Sequence, residues 1–354
     1  MKSTSSTPGT GRKRHQAQNK KQKLGQFFTE NASELLSGFE SLVDDKAVID
    51  PFAGQLDLIN WGLRNGAYDW SAYDIEPLDE KSIIQNDSIL NPPDYSGKFL
   101  LSNPPYLSRN KNKDKTAYDK WEMDDLYKCH LASLYPTCDE GILILPTNFL
   151  SESRPSARNL FFQNYGIGRM KYFYYQVFPN ATTGVLVFNF FKDTSIDKSF
   201  TMEIHYKDRI VERTVELKKK YDYLYGDEFF EYIKDSQPVR VEKFDTSSSS
   251  PPNTNIVIGL LSYGKYSLGA HYNEGSPIVC GEKSFTTYQV SVTMDLTEDQ
   301  QRKVVERYNE VLQKYIKQYD GLFLANYMGA EQKIKSRNYS NLLLSKVIKE
   351  ILGG

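Results

Sequence analysis

An apolar run at residues 98–102 stops on Asn103-Pro104-Pro105-Tyr106, and the chemistry open to that tetrapeptide is narrow. Two consecutive prolines fix two φ angles and supply no N–H donors, and each pushes the residue before it out of helical space. The stiff segment that results projects an amide side chain and bare carbonyl oxygens past the end of a strand. Such a site suits a flat, amino-bearing planar group: Asn103 and the Pro104 carbonyl accept from an –NH2 while the Tyr106 ring stacks on the plane. Taken alone, the tetrapeptide also fits a proline-stiffened turn after a buried strand. Three of the acids upstream fall at or just past short apolar segments. Asp50, within Asp50-Pro51-Phe52-Ala53-Gly54, places a carboxyl and a glycine at a first strand-to-helix turn, where backbone must approach a ligand closely. Asp74 stands where a second-strand carboxylate grips ribose hydroxyls, and Asp87 is placed to accept from an adenine amino group.

These residues need elements to hold them. Residues 31–43 carry Leu35, Leu36, Phe39 and Leu42 at helical spacing. Residues 46–50 and 70–74 read as short strands that end on acids, with a helix over 56–63 between them. Ile83 and Ile84 form a short apolar pair before Asn86 and Asp87. A strand at 98–102, a helix at 123–135 and a central strand at 141–146 follow. Residues 170–177 and 184–191 are β-rich and predict an antiparallel pair at the far edge. Strands alternating with helices predict an α/β fold, a doubly wound and mostly parallel sheet. In such sheets ligands sit outside the carboxyl ends of the strands, so one crevice would collect Asp50, Asp74, Asp87 and Asn103. Residues 50–58 hold no glycine-rich phosphate cradle, which points to a nucleoside ligand without phosphates, S-adenosylmethionine rather than NAD or ATP. Past residue 195 the alternation fades. Residues 245–255 are polar and proline-bearing, a linker or a long exposed loop. A helix over 297–319 opens on a capping box formed by Thr297 with Gln300, or with Glu298 nearby.

At 354 residues the chain is long enough for two domains, and its 44 Lys+Arg nearly cancel its 45 Asp+Glu. Net charge therefore does not discriminate among partners. Residues 1–23 are basic without one acid and read as a disordered tail. No apolar stretch makes that tail a secretory signal, and no run approaches the length of a membrane span. Cys129, Cys138 and Cys280 form neither a disulfide framework nor a metal-ligand spacing, so no metal is expected and the expected location is the cytoplasm.

Several segments, in order, resemble the amino-methylating DNA methyltransferases, specifically the gamma-ordered adenine-N6 enzymes of restriction–modification systems. Residues 24–29, Leu-Gly-Gln-Phe-Phe-Thr, are similar to their N-terminal methionine-moiety motif. Asp50, Phe52 and Gly54 match the first cofactor motif, residues 73–77 the ribose motif and residues 86–90 the adenine motif. Asn103 to Tyr106 is the catalytic motif, and Val177-Phe178-Pro179 resembles the late motif whose aromatic packs on the target base. The resemblance spans residues 24–191. It implies a Rossmann-like S-adenosylmethionine-dependent methyltransferase domain at 24–195 and a target-recognition domain at 196–354. It implies a cofactor site of Gln26, Phe27, Phe28, Thr29, Asp50, Phe52, Ala53, Gly54, Asp74, Ile75, Asp87, Ser88 and Asn103. The catalytic group would be Asn103, Pro104, Pro105, Tyr106 and Phe178.

The implied partner is duplex DNA, bound by a monomer, with a cognate restriction endonuclease acting on the same site without a stable complex. Phosphate and base contacts are expected from the basic loop at 108–113 and from Lys333, Lys335, Arg337 and Asn338. One position departs from the family pattern: where its first motif reads Gly-x-Gly, this chain has Gly54-Gln55-Leu56, which predicts altered cofactor affinity. Other readings are an RNA adenine-N6 methyltransferase, a protein-glutamine N-methyltransferase, and a DNA-binding protein with a decayed cofactor site. A glutamine enzyme would carry a small recognition domain before the cofactor motif, whereas here the long extra region follows it.

Overall fold

The computed structural model describes residue 29 and residues 31–353, except 153, 155, 179–183, 235–238, 249, 262–264, 280–286, 322–324, 328–330 and 334–336. The basic tail, Gln26, Phe27, Phe28 and Pro179 lie outside the described residues, as do Lys335 and the side chains of Lys333, Arg337 and Asn338. The chain divides into two compact units, one of residues 1–146 and 156–215, the other of residues 147–155 and 216–354.

The first unit opens on helix α1 (Ala32–Leu35) and a single 3-10 turn at Glu40–Leu42, where the leucine spacing predicted one continuous helix. Gly38, at φ +84°, interrupts it, because a left-handed residue cannot continue a right-handed helix. The apolar stripe still faces the core, and Leu35, Leu36, Phe39 and Val43 are all buried. Next come β1 (Ala47–Asp50), α2 (Asp57–Arg64), β2 (Asp69–Asp74), β3 (Ile84–Gln85) and β4 (Phe99–Ser102). The chain goes on through α3 (Thr116–Trp121), α4 (Leu126–Leu134) and β5 (Glu140–Pro146). After α5 (Asn148–Ser151), which belongs to the second unit, come α6 (Ser156–Asn164), β6 (Tyr165–Phe173), β7 (Val185–Lys192), β8 (Lys198–His205) and β9 (Ile210–Leu217).

All nine strands make one sheet in the order β3-β2-β1-β4-β5-β7-β6-β8-β9. The β1–β2, β2–β3, β1–β4, β4–β5 and β6–β8 pairs are parallel, whereas β7 runs antiparallel to β5 and β6. This is the expected doubly wound, mostly parallel, Rossmann-like sheet. The antiparallel β6–β7 pair lies inside the sheet rather than at its edge, because β8 and β9 add strands beyond β6. Residue 195, expected to end the catalytic domain, therefore falls between two strands of the same sheet.

Parallel strands buried on both faces read as continuous apolar runs, and β4 and β5 do so: Leu100, Leu101, Ile142, Leu143, Ile144 and Leu145 are at most 1% exposed. Helix α2 covers one face with Leu58, Ile59 and Trp61 in a cluster with Val48, Leu101 and Ile144. The chain lays β2 and β3 to one side of β1, then returns to lay β4 and β5 on the other. That reversal opens a crevice outside the ends of β1 and β4, the usual ligand site of such sheets.

The second unit holds a four-stranded sheet, β10 (Val241–Lys243), β11 (Ile256–Gly259), β12 (Gly269–Tyr272) and β13 (Thr287–Val292), in the order β10-β13-β11-β12. With it go α7 (Asp227–Lys234), α8 (Glu298–Gln318), a two-stranded sheet of β14 (Ala325–Tyr327) and β15 (Glu331–Lys333), and α9 (Arg337–Ile351). The capping box is present: Gln300 N–H donates to Thr297 Oγ1 at 3.3 Å and Thr297 N–H donates to Gln300 Oε1 at 2.9 Å. Residues 245–255 are a loop between β10 and β11 of one sheet. Asn253 holds the loop to β13, donating to the Val292 carbonyl at 2.8 Å and accepting from Val292 N–H at 2.9 Å.

Candidate active site

The crevice begins at the end of β1. Asp50 is 1% exposed; its Oδ1 accepts from Phe52 N–H at 2.9 Å and so shapes the turn into α2. Burial pushes its carboxyl up to about 8, against the Phe52 bond, and the nearby Asp74 charge adds to the rise. Asp50 is thus protonated at neutral pH and lies beneath the crevice wall, absent from its described lining. Asp74 fastens the same turn from β2, with Oδ2 accepting from Gly54 N–H at 3.0 Å and Oδ1 from Glu76 N–H at 2.8 Å. Each of its oxygens keeps a second lone pair for a hydroxyl donor. Asp87 Oδ1 accepts from Ile89 and Leu90 N–H, each at 3.1 Å.

Gln55 is followed by Leu56 at φ +66°, ψ +21°, a left-handed residue where the family pattern has its second glycine. The turn keeps a glycine-like backbone in spite of the side chain. The Leu56 side chain packs on the core cluster that includes Leu35, Leu58 and Phe178.

Together these turns wall a cleft of about 820 Å³ of empty space, counting the part open to solvent. Phe52, Ile75, Ile89, Leu90, Pro105, Leu107 and Leu126 give it apolar walls, and Asp74, Asn86, Asp87, Ser88, Asn112 and Asp114 give it polar ones. Apolar walls with a few convergent polar groups are the usual composition of a small-molecule site. Of the residues predicted from sequence, the cleft gathers Phe52, Asp74, Ile75, Asp87, Ser88 and Pro105. Asp50, Ala53, Gly54, Asn103, Pro104 and Tyr106 are not among its described lining residues. Leu107, Asp114 and Ala117 line it without having been expected, since they follow the tetrapeptide in a stretch with no periodic pattern; Leu126, on the expected helix, and Asn112, expected at a nucleic-acid contact, line it as well.

Asn103 follows β4 and is 8% exposed. Its Nδ2 donates to Thr29 Oγ1 at 3.1 Å, which ties the N-terminal segment to the strand end. The Tyr106 hydroxyl lies 2.7 Å from Asn103 Oδ1 and 2.7 Å from the Ile144 carbonyl, so one proton serves two acceptors. The half-buried Tyr106 ring meets Tyr127 edge-on at 6.2 Å, and burial holds its phenol well above the usual range. Phe178 departs from its expected place: its ring is 3% exposed and packs in the core with Phe173, Val185 and Val187. An apolar ring buries when a core is at hand, so here it presents no face to a base.

Sequence reading also missed a buried pair beneath the tetrapeptide. Ser102 Oγ and His130 Nε2 on α4 are 3.0 Å apart, and His130 meets the Phe52 ring edge-on at 4.9 Å. Burial alone drops His130 to about 3, so it stays neutral while bridging the strand end to the first turn. A lone histidine in a helical stretch gave no signal of this. Among the described residues no group of three or more His, Cys, Asp or Glu is placed to hold a metal ion, and no helix is long and apolar enough to cross a membrane.

No protein-family model and no curated protein matches the chain. Among solved structures it is similar to the modification subunit of a candidate type I restriction enzyme from Vibrio vulnificus YJ016, at 11% identity and a TM-score of 0.43 over 63% of this chain and 55% of that one. It is also similar to the methyltransferase subunit of a type I restriction-modification system from Streptococcus thermophilus, at 13% identity and a TM-score of 0.37 over 53% and 50%. A candidate RNA methyltransferase from Pyrococcus horikoshii aligns at 18% identity and a TM-score of 0.34 over 48% of this chain and 88% of that one. The chain spans about half the length of the first two.

Proposed function

We propose that this chain is an S-adenosylmethionine-dependent methyltransferase that acts on the N6 amino group of an adenine swung out of duplex DNA. The observation that carries the reading is the Asn103 amide, held at 3.1 Å by Thr29 and at 2.7 Å by Tyr106 beyond the end of β4, alongside a cleft with the makings of a nucleoside site. The donor set fits the cofactor. Asp74 offers lone pairs to ribose hydroxyls, Asp87 and Asn86 offer hydrogen bonds to an adenine edge, and Phe52 and Ile75 offer apolar faces to its plane. Among the described residues the cleft lining includes no lysine or arginine for a phosphate. When bound, S-adenosylmethionine supplies an electrophilic methyl on a sulfonium.

The chain's own residues would do the rest. Asn103 Oδ1 and the Pro104 carbonyl accept from the two hydrogens of a target –NH2, which draws the nitrogen lone pair out of conjugation and aims it. The nitrogen sheds a proton only after it becomes cationic, so no strong base is required. Positioning and preorganised acceptors carry the catalysis. Extruding a base costs a few kcal/mol, and stacking on an aromatic ring such as Tyr106 returns roughly 1–3 kcal/mol. With Phe178 packed in the core, Tyr106 is the aromatic on which this reading depends. Methylation at one recognition site would shield that site from an endonuclease reading the same sequence.

The test is incubation of the full chain with labelled S-adenosylmethionine and, separately, duplex DNA, RNA or a release-factor protein. Label is expected in DNA, at adenine. Asn103→Ala is expected to abolish incorporation while cofactor binding stays largely intact. Incorporation only into RNA or protein, or near-normal turnover in Asn103→Ala, would overturn the assignment.

A further inference from the structure

We propose that the loop at residues 108–115 couples the nucleoside cleft to the phosphate backbone of duplex DNA, with Asn112 and Asp114 facing the cleft and Lys111 and Lys113 holding phosphates. The inference rests on the function proposed above and goes beyond it in assigning a coupling device. Asn112 and Asp114 line the cleft, Asp114 at its exposed rim, while Lys111 and Lys113 are exposed and absent from its lining.

The loop is braced well enough to transmit a displacement. Asn112 Nδ2 donates to the Tyr118 hydroxyl at 3.3 Å, and that hydroxyl donates to the Leu107 carbonyl at 2.9 Å. Tyr118 is fully buried in a small cluster with Ile89, Leu107, Leu126 and Cys129. Lys115 Nζ donates to the carbonyls of both Arg109 and Asn112, drawing the two ends of the loop together. Asp114 Oδ1 accepts from the N–H of Thr116, the first residue of α3, at 2.9 Å. Arg109 N–H donates to the Asp124 carbonyl at 2.8 Å, anchoring the near end. A shift of Asn112 towards a bound nucleoside therefore carries its two neighbours with it.

Charge identifies the partner. The neighbouring cations are already engaged: Arg109 pairs with Asp119 at 2.6 Å, Lys115 is taken by carbonyls, and Lys120 reaches the Leu90 carbonyl. The side chains of Lys111 and Lys113 make no hydrogen bond or ion pair among the described residues, which leaves two cations open to solvent. They follow Tyr106 by a few residues in the sequence, and the phosphates flanking an extruded base are assigned to them. A duplex backbone presents regularly spaced anions to such a pair.

Coupling between two sites is reciprocal and commonly amounts to a factor of about 5–150. The experiment is isothermal titration of the full chain with S-adenosylhomocysteine, with and without a short DNA duplex. In the wild type the duplex is expected to tighten S-adenosylhomocysteine binding about five- to tenfold. The double variant Lys111→Ala/Lys113→Ala is expected to bind DNA more weakly, with the slope of log affinity against log salt flattened by about 2. Asn112→Ala is expected to lose most of the DNA-driven gain, leaving less than about twofold. Full gain in both variants, no effect of DNA on the wild type, or a gain given by duplex RNA and not by DNA would each overturn the coupling. Failure of the wild type to bind S-adenosylhomocysteine at all would instead overturn the cofactor reading beneath it.

Discussion

Leu56 sits at φ +66°, ψ +21° in the turn between β1 and α2, so replacing it inverts the usual ranking of alanine over glycine. For an L residue the left-handed conformation costs roughly 1–2 kcal/mol, and a side chain as small as alanine still carries the Cβ that causes the cost. Glycine is free of it but loses about 0.5–1 kcal/mol more in unfolded-state entropy than alanine. Both substitutions forfeit the same packing of the leucine against the core cluster, so that loss cancels in the comparison. Leu56→Gly is therefore expected to be more stable than Leu56→Ala by about 0.5–1 kcal/mol. Against wild type, strain relief and lost packing oppose each other, and Leu56→Gly is expected within about 1 kcal/mol of the parent. The assay is urea unfolding of the three proteins, following the transition that S-adenosylhomocysteine shifts. Titration of the same ligand reports whether a second glycine also tightens the cofactor turn. Greater stability of Leu56→Ala than Leu56→Gly would refute the reasoning, since it would mean that this backbone carries no left-handed strain.

Asp50 and His130 make opposing contributions to the dependence of stability on pH. Asp50, raised to about 8, is protonated in the folded chain and ionised in the unfolded one above about pH 4, so its contribution falls by about 1.4 kcal/mol per pH unit up to pH 8. His130, lowered to about 3, is neutral when folded, and its contribution is lost as pH falls from about 6.5 towards 3 with a similar slope. The two cancel between about pH 4 and 6.5. Asp50→Asn is expected to flatten the decline above pH 6.5, and His130→Asn to expose a decline with rising pH below it; urea midpoints across pH 4–8 check both. Gly141→Ala is expected to destabilise the first unit by about 1–3 kcal/mol, because its Cβ would lie 2.5 Å from the Leu100 carbonyl oxygen at the centre of the sheet. Thermal unfolding measures it, and a wild-type midpoint would show that β4 yields at that point.

Local chemistry was legible where it repeats along the chain. Apolar runs that end on Asp50, Asp74 and Asn103 identified the strands and their order of use, because in a parallel sheet the same short run is both buried and aimed. The Thr297 capping box could be read because its two residues are neighbours in sequence and bond each other. Contacts set by distant segments could not. Nothing near residue 195 announces that β8 and β9 join the sheet beyond β6, since strand order is decided by which edge remains open. The helical spacing of Leu35 to Leu42 correctly named a buried face, yet Gly38 broke the helix that was to carry it.

The amino acid sequence by itself determined which groups can act: an amide and carbonyls stiffened by Pro104 and Pro105, and carboxylates at the ends of strands. Those are properties of residue type and immediate neighbours. Only the tertiary structure decided where each stands. It set Asp50 beneath the cleft as a neutral acid, drew Phe178 into the core, and brought Thr29 to Asn103 across 74 residues of sequence. It also turned Asn112 inward between two outward lysines. Burial and cross-chain hydrogen bonding settle such matters, and both depend on which segments meet in space.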